Sequence, residues 1–159
     1  MIALLDTSVH VDLLRGARDL GEVLQAAGHR TIRLSPVVAS ELLRGVSGRG
    51  ARSVLRLVRG LVSVEPPSWR RCWIDAGRLL PRLFSDHEAI GLARLQNDLL
   101  IALTARHTGA LVVTSDAHFA ALRRQVAFAL QILPAARQMA GPPRPGSAVR
   151  RPRRTPARG

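Results

Sequence analysis

Four acids in this chain stand in apolar surroundings. Asp6 closes the run IALLD, Glu41 lies within SPVVASELLRG, Asp98 opens DLLIALTA, and Asp116 follows ALVVTS. Asp6 and Asp116 each come after a short apolar run that reads as a strand. In open parallel sheets ligands bind outside the carboxyl ends of strands. Singly, each aspartate is explained at least as well as a turn residue or helix cap. Glu41 and Asp98 say more. Glu41 comes three and four residues after Val38 and Val37, so it shares the apolar stripe of its helix; Asp98 shares a face with Ile101, Ala102 and Ala105. A carboxylate turned toward a core is costly unless it is paired or binds a cation. An arginine is the ordinary partner, and the chain has many. Yet two inward acids on helices and two at strand ends suit one shared pocket. Carboxylates gathered there repel one another, and a divalent cation relieves that repulsion. An all-oxygen site selects Mg²⁺ or Mn²⁺.

Elements that could gather these acids follow from the apolar period. Residues 2–5 read as a strand, 8–15 as a short helix and 19–27 as a second helix. A strand at 31–34 leads to a helix from Pro36, with Ser35 as its cap and Gly45 at its end. Helical patterns cover about 50–61, 68–84 and 87–107, the last broken once. A strand at 110–113, a helix at about 117–124 and a strand near 127–132 complete the pattern. Strands separated by helices predict βαβ units, and hence an α/β fold: a three-layer α/β/α sandwich with a mostly parallel central sheet.

Length and charge set the outer limits. At 159 residues the chain reads as one domain over residues 1–134, with a Pro/Arg-rich C-terminal extension at 135–159 that is expected to be disordered from about 141. All 24 basic residues are arginine, set against 11 acids, for a net charge of +13. The stretch from 141 to 159 holds six of those arginines and no acid, so the remainder still carries +7. Such a balance favours a polyanionic partner, nucleic acid before membrane. An acid at position 6 is too early for a secretory signal, and no apolar run reaches membrane-spanning length. The single cysteine, Cys72, makes neither an internal disulfide nor a zinc cluster. A cytoplasmic protein is expected. Aromatic residues at 3%, with no tyrosine, argue against a base-stacking platform.

Taken together, LLDTSVHVDLL, SPVVASELLRG, NDLLIALTA and LVVTSDAHFAAL resemble the four acidic motifs of PIN-domain nucleases, in the family's order. The nearest likeness is to the VapC-type toxins of bacterial toxin–antitoxin pairs, over about residues 1–132. The resemblance implies that Asp6, Glu41, Asp98 and Asp116 are the catalytic, metal-binding acids. It implies supporting hydroxyls from Thr7 or Ser8 and from Thr114 or Ser115. It further implies an Mg²⁺- or Mn²⁺-dependent endoribonuclease in which metal-activated water attacks phosphorus and leaves a 5′-phosphate and a 3′-hydroxyl. A cognate antitoxin and a homodimer are implied as partners beside the RNA substrate. The stretch 68–97, including SDHEAIGLARLQN, matches no motif, and the Arg-rich tail lies outside the family pattern.

Several other residues have an ordinary and a functional reading. Arg44, three residues after Glu41, either pairs with that acid or grips substrate phosphate. Among the histidines, His10, His29, His87, His107 and His118, surface positions are expected for nearly all, with His118 near the pocket rim as the lesser reading. Asp12 reads as a solvated helix position and Asp86 as a helix cap. Trp69 and Trp73 share a helix face, in the core or at a dimer contact, and Cys72 between them reads as a small buried hydrophobe. Two other phosphate chemistries fail. A haloacid-dehalogenase-type phosphatase needs a second acid where Ser8 stands, and GVSGRG follows a helix and lacks the lysine of a nucleotide loop. The remaining alternatives are a nucleic-acid-binding PIN-like module with a regulatory or degenerate acidic site, and a nuclease of RNA maturation.

Overall fold

The two central strands, IALL and LVVT, are short apolar runs, the signature of strands covered on both faces, whereas the edge strands TIR and ALQI hold no fully buried residue. The computed structural model, which describes residues 1–48, 50–83 and 92–136, has four: β1 (Ile2–Leu5), β2 (Thr31–Arg33), β3 (Leu111–Thr114) and β4 (Ala129–Ile132). All pair in parallel, in the order β2-β1-β3-β4, with Leu4 opposite Arg33 on one side and Val112 on the other. Seven helices are found among the described residues: α1 (Thr7–Leu14), α2 (Leu20–Ala27), α3 (Pro36–Arg44), α4 (Gly50–Gly60), α5 (Trp69–Leu83), α6 (Leu92–Thr108) and α7 (His118–Arg123).

Alternation along the strands builds the three layers. Leu4 and Val112 face one apolar cluster with Val38, Val54, Cys72, Leu99 and Phe119, which belong to α3 through α7. Leu5, Leu111 and Val113 face the other side, against Val9 of α1 and Val23 of α2. The predicted α/β/α sandwich with a parallel sheet is therefore the observed fold. Helix α6 is its central element, since every side chain from Asp98 to Ala105 is buried. Two of its threonines, Thr104 and Thr108, satisfy their hydroxyls on the carbonyls of Leu100 and Thr104 at 2.8 Å.

Element boundaries agree with the expected ones to within one or two residues, the usual spread of helix and strand ends. Helix α1 begins at Thr7, one residue early, which puts Asp6 at its N-cap position. The Ser35 hydroxyl accepts from the Val37 amide at 3.3 Å, with Pro36 in the first turn of α3. The expected break in the 87–107 helix, the Asp86 cap, His87 and the expected disorder from 141 all lie outside the described residues. No described helix is long and apolar enough to cross a membrane.

Candidate active site

With the order β2-β1-β3-β4, the chain leaves β1 in one direction along the sheet and returns on its other side at β3. The crevice between their carboxyl ends is a topological switch point, the place where such sheets hold ligands. Asp6 and Asp116 flank it. The Asp6 amide donates to the Val113 carbonyl at 2.9 Å, which ties the end of β1 to β3. Although Asp6 occupies an N-cap position, its side chain makes no capping bond. Its Oδ2 instead accepts from the hydroxyls of Ser8 at 2.7 Å and Thr114 at 3.0 Å. Ser115 donates to the Ser8 hydroxyl at 3.1 Å, so all three hydroxyls form one chain behind Asp6.

From the far side, α3 and α6 deliver the other two acids. Glu41 accepts from the Thr7 hydroxyl and, at 2.6 Å, from the Asn97 amide, so both of its oxygens are held. Asp98 follows Asn97 on α6 and is only 6% exposed; its Oδ2 is buried with no hydrogen-bond partner among the described residues. Asp116 is divided between two tasks. Its Oδ1 accepts from the His118 amide at 2.9 Å and lies 3.2 Å from the His118 ring, while its Oδ2 accepts from Arg94 at 2.6 Å. The four acids, Thr7, Ser8 and Arg94 line one cavity of about 270 Å³.

The electrostatics follow from burial and crowding. Desolvation, reinforced by Asp6, Asp116 and Glu41, pushes the Asp98 carboxyl up to about 8, with Arg94 pulling weakly the other way. Burial also raises Asp6, against the lowering pull of the Ser8 and Thr114 hydroxyls and the Thr7 and Ser8 amides. For Asp116, burial is the largest single influence and raises it. The His118 amide, the Arg94 hydrogen bond and the electrostatic pull of the His118 ring and Arg94 together outweigh burial, and it falls below the ordinary aspartate value. Its partner Arg94 is raised in turn, chiefly by that hydrogen bond.

Such a cavity has the donor chemistry of a hard-cation site: oxygen ligands only, an orphaned buried carboxylate oxygen, and mutual repulsion that a divalent charge would relieve. As placed, no three His, Cys, Asp or Glu side chains among the described residues form a ready-made ligand set. Thr7 and Asn97 hold Glu41, Ser8 and Thr114 hold Asp6, and Arg94 holds Asp116.

Other expected residues fall elsewhere. Arg44 donates to the Ser40 carbonyl at 3.4 Å and lines an apolar cleft with Leu34, Pro36, Leu43 and Val58. It neither pairs with Glu41 nor lines the acid cavity, its guanidinium being drawn back onto its own helix at Ser40. His10 corrects the expectation of surface histidines. It is 1% exposed, burial lowers it to about 4, and neither ring nitrogen has a partner among the described residues. His29 is exposed and His107 half-buried. Asp12 is not simply solvated: it is half-buried, 3.5 Å from the guanidinium of Arg18. That arginine is itself buried against Glu22 and the Pro134 carbonyl. Trp69 packs on the core and donates to Glu65 at 3.1 Å, whereas Trp73 is largely exposed; Cys72 is buried as expected.

Two residues beside the acids were missed: Arg94, in the stretch SDHEAIGLARLQN where no motif is matched, and Asn97, directly before Asp98. One signal was available. Arg94 lies one helical turn before Asp98, so an inward Asp98 brings Arg94 to the same side.

The profile of the PIN domain family matches residues 3–125 of the chain. No curated protein sequence matches it. Among solved structures, a chain of VapBC2 from Rickettsia felis, bound to a promoter DNA fragment, is 26% identical with a TM-score of 0.59, covering 84% of this chain and 99% of that one. A chain of VapBC-5 from Mycobacterium tuberculosis, a member of the VapBC family of toxin–antitoxin systems, is 26% identical at a TM-score of 0.50, covering 84% and 98%. One of VapBC-1 from nontypeable Haemophilus influenzae, 22% identical at 0.58 and covering 83% and 98%, shares the fold.

Proposed function

The chain belongs to the PIN-domain family, and from that membership and its acid cluster we propose that it is a divalent-metal-dependent endoribonuclease of the VapC type. In this reading it is the toxin of a toxin–antitoxin pair. The observation that carries the proposal is the convergence of Asp6, Glu41, Asp98 and Asp116 on one cavity at the β1–β3 switch point, with a buried Asp98 oxygen left unbonded.

Those four acids would hold Mg²⁺ or Mn²⁺. The bound cation would supply Lewis acidity, lowering the pKa of an attacking water and offsetting charge on the phosphate as it is displaced. The protein's own work is orientation. Ser8 and Thr114 fix the Asp6 carboxylate, with Ser115 steadying Ser8; Thr7 and Asn97 fix Glu41. The expected products are a 5′-phosphate and a 3′-hydroxyl. Outside the cavity, the arginine-rich surface gathers the RNA polyanion around a small acidic centre.

Likeness to chains of VapBC complexes supports an antitoxin as protein partner and favours the toxin over a maturation nuclease. Homodimerisation and a cytoplasmic setting complete the reading; the exposed Trp73 and Ile74 on α5 offer apolar surface to a second subunit. The test is cleavage of RNA by antitoxin-free protein with Mg²⁺ or Mn²⁺, against the same reaction in EDTA, with product ends identified. Metal-dependent cuts leaving 5′-phosphates support the proposal. Cuts that persist in EDTA and leave cyclic phosphates would overturn it and transfer the chemistry to a histidine such as His118.

A further inference from the structure

Among the described residues lining the acid cavity, Arg94 alone is an arginine; the others are Asp6, Thr7, Ser8, Glu41, Asp98 and Asp116. Its placement is specific. The Asp116 Oδ1 is engaged by the His118 amide, and Arg94 takes the remaining oxygen, Oδ2. Arg94 is nevertheless not built into the core. Its side chain is 61% exposed, and it rises from α6 one turn before Asp98, so its guanidinium sits at the mouth of the cavity. A half-exposed arginine on a flexible stem can leave a carboxylate at little cost, since exposed ion pairs are weak. A planar guanidinium is also the side chain that matches phosphate oxygens in pairs.

We propose that Arg94 has two positions in the working cycle. In the metal-free chain it occupies Asp116 in place of the cation. Once a divalent ion takes that carboxylate, the guanidinium turns outward and receives a phosphate of the bound RNA. Arg94 is thus both a competitor of the metal and the substrate-binding cation of the site, the role that Arg44 is too distant to fill. This inference rests on the metal-dependent reading above.

The test compares wild type with Arg94→Gln, and uses Arg106→Gln as a control for loss of one charge. Arg106 is exposed near the far end of α6. Mn²⁺ binding is measured by calorimetry without RNA. Binding of a labelled mixed-sequence oligoribonucleotide is measured by anisotropy over a salt series with Ca²⁺ present. Arg94→Gln is expected to bind Mn²⁺ about threefold more tightly. It should bind RNA several-fold more weakly, with the slope of log affinity against log salt reduced by about 0.7, while Arg106→Gln leaves metal binding unchanged. Opposite movement of the two affinities in one variant is the signature. If both weaken, Arg94 merely supports the site; if neither moves, or only Mn²⁺ binding does, it does not receive phosphate. Either result overturns the proposal while leaving the metal site intact. If wild type and variant both fail to bind Mn²⁺, the metal-dependent reading fails first and takes this one with it.

Discussion

Asp98 shows how one residue couples stability to chemistry. Its folded-state pKa of about 8 lies above the ordinary aspartate value of 3.8, so as pH rises the unfolded chain ionises first. Asp98 therefore destabilises the metal-free fold progressively between about pH 4 and pH 8. Asp98→Asn is expected to abolish cleavage, yet to raise the melting temperature of metal-free protein by several degrees at pH 8, a gain that shrinks toward pH 4. Scanning calorimetry across that range, beside a cleavage assay, checks both. Asn97 holds Glu41 at 2.6 Å. Asn97→Ala should cut activity about 10- to 100-fold, with the fold retained, as loss of a ligand-orienting partner usually does. His10 has the reverse electrostatics of Asp98. With its folded pKa lowered from 6.5 to about 4, its neutral form is favoured by folding, so stability is fully present above pH 6.5 and is lost as pH falls toward 4. By linkage the full effect is about 3 kcal/mol. His10→Leu should flatten acid unfolding over that interval, which denaturant titrations at pH 7 and pH 5 would show. The acids were legible in the sequence because spacing alone put Glu41 and Asp98 on apolar faces. Arg94 and Asn97 were not, because their partners lie 22 and 56 residues away along the chain.

At the scale of elements, the apolar period predicted the described strands and helices to within a residue or two, apart from the start of the 87–107 helix, which lies outside the described residues. What it could not give was which polar end groups are spent on capping. Asp6 and Asp116 looked alike as possible caps, yet Asp116 accepts from the amide of His118 at 2.9 Å, while the Asp6 side chain makes no capping bond and turns to the hydroxyls of Ser8 and Thr114. That choice depends on β3 arriving beside β1, which no local pattern contains. Helix α6 ends at a turn made by Gly109 with a φ of 67°, from which the chain enters β3. An added Cβ would meet nothing within 4 Å there, so the glycine is required by backbone conformation alone. Gly109→Ala is expected to cost about 1 kcal/mol through left-handed strain. Cleavage should survive, because the turn lies at the opposite end of β3 from Asp116; urea unfolding measures the loss.

Across the whole molecule, the site exists because of strand order. Sequence pattern indicated a parallel sheet, but the placement of β1 beside β3, which brings Asp6 and Asp116 to one crevice, appears only when the strands pair. Among the described residues the two apolar clusters draw on Leu4 to Leu133, and the stretch 141–159 is rich in proline and arginine and poor in apolar residues. Removing residues 141–159, with their six arginines, should therefore leave the melting temperature within about 2 °C of the full chain. It should also lower the salt sensitivity of RNA binding, if the tail adds to the +7 carried by the rest. The most direct test of the central claim, that the four carboxylates hold a divalent cation, is an anomalous difference map from crystals of this protein soaked in Mn²⁺. The account expects one or two peaks inside the cavity, within about 2.0–2.6 Å of oxygens from Asp6, Asp98 or Asp116. Arg94 should then be withdrawn from Asp116. A cavity free of anomalous density in crystals that bind Mn²⁺ elsewhere would contradict it.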